Sequence, residues 1–230
     1  MTHLQIDAFL LVVSLLQPQP NDVIVDLTAG RGGHAELLAT IAGASSTVVL
    51  FDLDNLNLEY AANRIKKTGA TVHTIHASFA TASSALKGLN LRADCILADL
   101  GFASNQMDDS DRGLSFRNDG PLDMRLNTEF GATAADIIET STEIELADII
   151  YQFGEEPYSR RIARKIVQER QKEPILGTVR LAQIVRSAYG ARARSSRMHP
   201  ATRTFMALRI AVNNELESLD ALLAEMQTGC

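Results

Sequence analysis

Tryptophan is absent from the 230 residues, and only 5 % of the chain is aromatic. A broad stacking platform for single-stranded nucleic acid would therefore have few rings to use. Two cysteines, Cys95 and Cys230, are too few for a disulfide framework and suit a reducing compartment. The apolar run from Phe9 to Leu16 is far shorter than the roughly 18–20 residues that a membrane span needs. It follows Asp7 and has no basic leader, so we expect no signal peptide, no membrane partner and a cytoplasmic location.

Net charge is negative overall but very unevenly distributed. The chain carries −6 in total, yet residues 151–210 contain 13 Lys and Arg against 4 Asp and Glu, a net charge of +9. The rest of the chain therefore carries a net charge of −15. Such asymmetry is what a local nucleic-acid surface on an acidic body would produce. Within the basic region, Arg192, Arg194 and Arg197 lie in a predicted Gly/Ser-containing loop, which offers no packing reason for three arginines.

Short apolar runs alternate with helical patterns through the first hundred residues. We predict four strands in this part of the chain, at about 22–27, 47–52, 71–76 and 93–99. This alternation predicts an α/β fold with a parallel sheet and right-handed crossovers.

Beyond about residue 108 the strand pattern disappears, and only helical patterns follow. The last of them predicts one long helix over about 200–226, which should carry the chain back towards the sheet. We therefore expect an α/β domain over 1–107, continued by 202–230, and an inserted helical domain over 108–201.

A glycine loop follows the first predicted strand and precedes a helical pattern. It contains Gly30, Gly32, Gly33 and His34. Glycines let the backbone approach a ligand closely, and a helix N-terminus favours an anionic group. Asp52 ends the second strand, where a carboxylate can accept hydrogen bonds from two ribose hydroxyls. The combination indicates a cofactor that contains a nucleoside.

Two cofactors fit this arrangement. NAD sites prefer G-x-G-x-x-G with an acid about 20 residues further on. Here the order is Gly30-Arg31-Gly32-Gly33, so the third glycine is misplaced. S-adenosylmethionine sites use a looser glycine loop and the same ribose-binding acid. These residues favour the methyl donor, but they leave open NAD and a tight turn that merely packs a helix on a strand.

The fourth apolar run ends in Asp99 and opens into a long polar segment with no regular period, reaching to about Arg125. Ligands of open α/β sheets bind outside the carboxyl ends of the strands. Long irregular segments inside compact domains are usually functional or disordered. We therefore expect the active site to include Asp99.

Longer stretches of the chain resemble the bacterial methyltransferases that modify the N4 amine of a cytidine in 16S ribosomal RNA. The matching segments are DLTAGRGGH from Asp26, FDLD from Phe51, ADLGFASNQMDD from Ala98, RGLSFRNDGPLDMR from Arg112, YQFGEE from Tyr151 and HPATRTFMALRIAVNNELE from His199. They run in family order and cover nearly the whole chain. The resemblance implies a Rossmann-like class I methyltransferase sheet with an inserted helical domain for substrate recognition. It also implies S-adenosylmethionine as cofactor and the small ribosomal subunit as partner.

The resemblance assigns roles residue by residue. Matching positions in the family hold the cofactor, and here they are Gly30, Gly32, Gly33, His34, Asp52, Phe79, Asp99 and Gln106. Among them, Phe79 matches a position beside the adenine, and Asp99 also stands where amine methyltransferases place a polar group facing the target. Arg192, Arg194 and Arg197 become expected contacts to RNA phosphates. No catalytic metal is expected, because a sulfonium donor needs no Lewis acid.

The chain also departs from the family pattern. The family usually has glycine where Leu27 stands, an aromatic where Ala29 stands, and Ser and Pro where Ala103 and Asn105 stand. Family members continue past the position of Cys230 with further strands and a second polar motif. On that comparison we expect the far strands of the sheet to be missing, which would leave the edge of the fourth strand unpaired and favour a homodimer.

Two other functions remain as alternatives. One is a catalytically silent protein that binds the cofactor or RNA. The other, made remote by the matched segments, is an NAD-dependent oxidoreductase.

Overall fold

The structure is a computed structural model that describes residues 11–101, 104–190 and 198–227. The chain divides into two compact units. The first is built from residues up to 103 together with those from 217 onward, and the second from residues 104–216. The sequence places these boundaries elsewhere, since it assigns residues 104–107 and 202–216 to the α/β domain.

The first unit contains a four-stranded sheet. Its strands are β1 (Val23–Asp26), β2 (Thr47–Asp52), β3 (Thr71–His76) and β4 (Cys95–Leu97). They lie in the order β3-β2-β1-β4, and every pairing is parallel. All four carboxyl ends therefore meet at one edge of the sheet. The predicted α/β fold with a parallel, Rossmann-like sheet is confirmed.

The fourth strand is shorter than predicted, at three residues instead of about seven. At its start, both the carboxylate and the backbone N–H of Asp94 bond to the backbone of Val23, at 2.9 Å each. At its end, the N–H of Asp99 donates to the side chain of Thr28 and not to a backbone carbonyl. Side-chain hydrogen bonds thus end the ladder at both sides, and an apolar run cannot reveal them.

Helices cover both faces of the sheet. They are α1 (Gly33–Ala42), α2 (Asn55–Ile65) and α3 (Ala82–Gly88), and a helical stretch over 11–16 precedes β1. Alternate strand residues point to opposite faces. Ile24 and Val48 pack in a core cluster with α1 and α2, while Val25 and Val49 pack with α3 on the other face. Burial on both faces explains why β1 and β2 read as continuous apolar runs.

The second unit is helical in its described residues. Its helices are α4 (Ser104–Asp108), α5 (Ala134–Thr140), α6 (Glu143–Gly154), α7 (Ser159–Arg170), α8 (Thr178–Tyr189) and α9 (Thr202–Val212). Thr133 and Thr142 begin α5 and α6 with capping boxes, in which the side chain at N3 bonds back to the capping residue. Helix α6 packs against both α7 and α9. The loss of the strand pattern after about residue 108 therefore reflects a real change from sheet to helices.

The prediction of one long helix over about 200–226 was wrong. Helix α9 ends at Val212, and a separate helix α10 (Glu215–Gln227) follows. Between them the side chain of Asn213 accepts a hydrogen bond from Leu126 N at 2.8 Å and donates to Met124 O at 2.9 Å. Asn214 then takes a positive φ of 49°. The helical period runs through this point, because the break is fixed by partners almost 90 residues away in sequence.

Candidate functional site

The candidate site of the first unit lies at the carboxyl ends of β1, β2 and β4. Two backbone hydrogen bonds fasten the loop after β1 to its neighbours. Leu27 N donates to Leu97 O at 2.8 Å, and Ala29 N donates to Phe51 O at 2.8 Å. The glycine loop is therefore held at the centre of this sheet edge, between the ends of β2 and β4.

Asp52 connects the glycine loop to the end of β2. Its Oδ2 accepts a hydrogen bond from Gly30 N at 2.7 Å, and its Oδ1 accepts one from Asp54 N at 2.8 Å. Burial raises the pKa of Asp52, and these two backbone bonds oppose that rise. Each carboxylate oxygen has lone pairs for more than one donor. Asp52 can thus hold the loop and still accept hydrogen bonds from a ligand.

The glycine loop comes very close to helix α2. Gly32 has a φ of +73°, and a Cβ at this position would lie 3.0 Å from Ala61 Cβ and 3.1 Å from Ala61 Cα. Gly32 also precedes α1 and makes no side-chain cap. The partial positive charge of the helix N-terminus is therefore not covered by a capping side chain, which favours an anionic ligand group there.

Thr28 joins the ends of β1 and β4. Its N–H donates to Asp26 Oδ1 at 3.1 Å, and its hydroxyl oxygen accepts the N–H of Asp99 at 2.7 Å. Asp99 Oδ2 lies 4.0 Å from Nδ1 of His34, the second residue of α1, and the Asp99 side chain is 69 % exposed. The Asp99 backbone is fixed while its carboxylate remains accessible to an incoming group.

Asp26 is a functional candidate that sequence reasoning missed. It is only 2 % exposed at the end of β1. Burial raises its pKa to about 7; the N–H of Thr28 works against this rise, and the nearby charges of Asp52 and Asp99 add to it. The sequence does place an acidic residue at the end of an apolar run, which could have marked Asp26 as a candidate. It does not show that the carboxyl group is buried.

The structure brings six of the eight predicted cofactor residues to this edge. These are Gly30, Gly32, Gly33, His34, Asp52 and Asp99. Phe79 lies in a short 3-10 turn after β3 and packs, half-buried, against the core cluster that contains Val25 and Phe51. It therefore has a core role, and its contact with adenine stays a prediction.

Two other predictions concern residues outside the first unit. Gln106 is buried in helix α4 of the second unit, so its role at the cofactor stays a prediction. The predicted RNA contacts Arg192, Arg194 and Arg197 lie outside the described residues.

Membrane-spanning and metal-binding features are both absent from the described residues. No helix in that part of the chain is long and apolar enough to cross a membrane. The same residues contain no group of three or more His, Cys, Asp or Glu side chains placed to hold a metal ion.

Comparison with known proteins gives a consistent result. The profile of the MraW methylase family matches residues 8–228. A curated relative from Syntrophotalea carbinolica, named ribosomal RNA small subunit methyltransferase H, is 46 % identical over 209 residues, which cover 90 % of this chain and 67 % of the relative. Proteins of the same name from Prochlorococcus marinus and Acinetobacter baumannii are each 42 % identical. The match to the Prochlorococcus marinus protein covers 92 % of this chain and 70 % of the relative. The match to the Acinetobacter baumannii protein covers 98 % of this chain and 72 % of the relative. The chain thus spans about two thirds of the length of these relatives.

Proposed function

Because the chain belongs to the MraW methylase family, we propose that it transfers a methyl group from S-adenosylmethionine to the N4 amine of a cytidine in 16S ribosomal RNA. The observation that carries the proposal is that the glycine loop, Asp52 and Asp99 lie together at the carboxyl edge of the sheet. There the Asp52 carboxylate holds the glycine loop, and Asp99 offers an accessible carboxylate beside it.

The residues at this edge fit the proposed cofactor. Gly32 and Gly33 stand at the N-terminus of α1, where no side chain caps the helix and the methionine carboxylate would be favoured. Asp52 accepts the ribose hydroxyls with the lone pairs that Gly30 and Asp54 leave. The spacing of the loop favours this cofactor over NAD, whose third glycine would come later. When bound, S-adenosylmethionine supplies a methyl group activated by the positive charge on sulfur.

The chain's own residues have a positioning task. The N4 lone pair of cytosine is conjugated into the ring and is a poor nucleophile, so the amine must be held in line at near-attack distance. The Asp99 carboxylate can accept a hydrogen bond from the amine and favour its pyramidal form. His34 lies next to that carboxylate, with its Nδ1 atom 4.0 Å from Asp99 Oδ2. The bound donor would give up its methyl group with cleavage of its C–S bond, and the methylated amine would lose a proton to solvent, so no residue at this edge need act as a strong general base.

The basic region supports RNA as the substrate. Residues 151–210 carry +9, and Arg192, Arg194 and Arg197 fall within them. Clustered Lys and Arg bind phosphates without reading bases. We assign the second unit to recognition of the small ribosomal subunit. The target cytosine must reach Asp99 from a single-stranded or flipped position.

Two further features of the protein belong to this proposal. In the described sheet β4 is an edge strand, and open edges pair with other chains, so we propose a homodimer. Sedimentation of the purified chain as a dimer supports it, and a monomer at all concentrations contradicts it. We also propose a cytoplasmic location, because Cys95 is a free buried thiol and the substrate is a ribosomal subunit.

The proposal is tested by methyl transfer into ribosomal subunits. The chain is incubated with S-adenosylmethionine carrying a tritiated methyl group and with unmodified small or large subunits. We expect label in 16S RNA and background label in the large-subunit RNA. Cofactor and RNA binding without transfer would support the silent-binder alternative. Binding of NAD in place of the methyl donor would support an oxidoreductase.

A further inference from the structure

A separate pocket of about 290 Å³ lies within the second unit. It is formed near the start of α7, the end of α8 and the start of α9. Its walls include Tyr158, Tyr189, Met198, His199 and Arg203. This volume is close to the lower limit of about 300 Å³ for small-molecule pockets, which suits a ligand of roughly nucleotide size.

Aromatic rings are concentrated around this pocket. Tyr158 and Tyr189 are two of only four tyrosines in the chain, and their ring centroids lie 4.9 Å apart with an interplanar angle of 62°. His199 lies over Phe116, with ring centroids 4.6 Å apart and an angle of 33°. Phe116 in turn packs edge-on against Phe205. The few aromatic residues of the chain thus provide a local stacking surface, which their overall scarcity did not lead us to expect.

A buried carboxylate fixes the two tyrosines. Glu156 has no solvent-exposed surface. Its Oε2 accepts a hydrogen bond from the Tyr189 hydroxyl at 2.5 Å, and its Oε1 accepts one from Tyr158 N at 2.8 Å. Burial and the Glu156 charge raise the pKa of Tyr189, so that its hydroxyl remains a donor. The Tyr189 ring and the Tyr158 backbone are therefore held before any ligand arrives, which reduces the cost of binding.

Arg203 adds a cation to the wall of the pocket. One of its N–H groups donates to Glu155 O at 2.5 Å. A guanidinium has five N–H donors, so this bond orients Arg203 and leaves donors for a phosphate. Burial and the charge of Arg186 lower the pKa of His199. The imidazole is therefore neutral near pH 7 and does not repel the guanidinium.

We propose that this pocket binds one unpaired nucleotide of the RNA substrate, with the base stacked on the Tyr158 ring beside Tyr189 and a phosphate on Arg203. The inference rests on the proposed function and adds to it a base-binding site in the second unit, besides the target site at Asp99. Stacking rings with a cation suit nucleobases of any sequence. A phosphopeptide would use the cation but not the rings. A free mononucleotide has the same chemistry as an RNA nucleotide, so the test must separate the two.

Binding is measured by fluorescence anisotropy with a short unstructured RNA, and by calorimetry with cytidine 5′-monophosphate and ribose 5-phosphate. Loss of the ring in Tyr158→Leu should weaken RNA binding at least about fivefold, because base–aromatic stacking is lost. Tyr158→Phe keeps the ring and should stay within about twofold of the original chain. Arg203→Gln should weaken binding more than Arg180→Gln, which removes the same charge from a residue paired with Glu169.

A cross-linking experiment on the unaltered chain covers the case in which a variant fails to fold. RNA containing 4-thiouridine is irradiated with the protein, and peptides are identified by mass spectrometry. Adducts on Tyr158, Tyr189 or His199 support the pocket. Adducts that occur only elsewhere overturn it.

The outcomes separate this proposal from the proposed function. If RNA binds but Tyr158→Leu and Arg203→Gln match their controls, the pocket proposal is overturned while the methyltransferase proposal stands. If the monophosphate binds the pocket but RNA does not, the occupant is a free nucleotide, and the RNA assignment is overturned. Loss of methyl transfer with unchanged RNA binding would count only against the catalytic role of the first unit.

Discussion

The backbone N–H of Gly30 donates a 2.7 Å hydrogen bond to the carboxylate of Asp52, at the end of the neighbouring strand. This contact joins the loop after β1 to the end of β2 without any ligand. The same carboxylate is the expected acceptor for the ribose hydroxyls. The Asp52 side chain should therefore determine both how firmly the glycine loop is held and how tightly the cofactor binds.

Replacing Asp52 should weaken cofactor binding strongly. Asp52→Ala removes a charged acceptor worth about 1.5–3 kcal/mol, so S-adenosylhomocysteine should bind about 10- to 150-fold more weakly in isothermal titration. Glu59→Ala removes an acid from exposed α2 surface and serves as the control. Affinity within about twofold of the original chain after Asp52→Ala would contradict the assigned role.

The buried acid Asp26 should make stability depend on pH. Its folded pKa of about 7 lies above the ordinary value of 3.8, so the folded state keeps the proton that the unfolded state loses. Its stabilising effect is therefore complete at acid pH and lost as the pH rises through 7. Asp26→Asn stays neutral and retains an acceptor for Thr28 N.

Urea unfolding at several pH values measures this effect. Between about pH 5 and pH 8, Asp26→Asn should gain about 2–3 kcal/mol of unfolding free energy relative to the original chain. Glu59→Gln, an exposed acid-to-amide change on α2, controls for net charge. A constant difference between Asp26→Asn and the original chain across that range would show that Asp26 ionises normally.

Because the glycine loop lies so close to α2, we expect alanine to affect stability differently at two glycines, Gly32 and Gly88. Gly32→Ala combines a positive φ with a Cβ only 3.0 Å from Ala61 Cβ, so it should destabilise the chain by roughly 1–3 kcal/mol. Gly88→Ala, in helix α3 with no atom within 4 Å of its new Cβ, should be neutral or stabilise by up to about 1 kcal/mol. Thermal melts followed by circular dichroism test both. Equal effects would mean that the space beside Gly32 is not restricted.

Arg192, Arg194 and Arg197 should contribute to RNA affinity by binding phosphates. Changing Arg192, Arg194 and Arg197 together to Gln should weaken binding to small ribosomal subunits. It should also reduce the slope of log K against log salt by up to about 0.7–0.9 for each phosphate that is no longer neutralised. Changing Lys66, Lys67 and Lys87 to Gln removes the same charge from the first unit. Matching slopes for the two triple variants would reject residues 192–197 as an RNA-binding segment. Cofactor affinity should not change in either variant.

Local and repeating signals made the fold predictable. The strands β1, β2 and β4 are apolar runs, and the glycine loop and Asp52 stand where two of these runs end. Properties that depend on distant partners were not predictable. The break at Asn213 depends on Met124 and Leu126, the enclosure of Asp26 depends on the packed sheet edge, and the tyrosine pocket assembles three separate segments.

The proposed function requires methyl transfer to the N4 amine of a cytidine, with Asp99 facing that amine. The most direct measurement is mass spectrometry of nucleosides from 16S RNA after reaction with a donor whose methyl group carries deuterium. We expect deuterated N4-methylcytidine, formed far more slowly by Asp99→Ala even at a methyl-donor concentration that saturates that variant. Label on ring carbon or ribose, or equal rates for Asp99→Ala and the original chain, would contradict it.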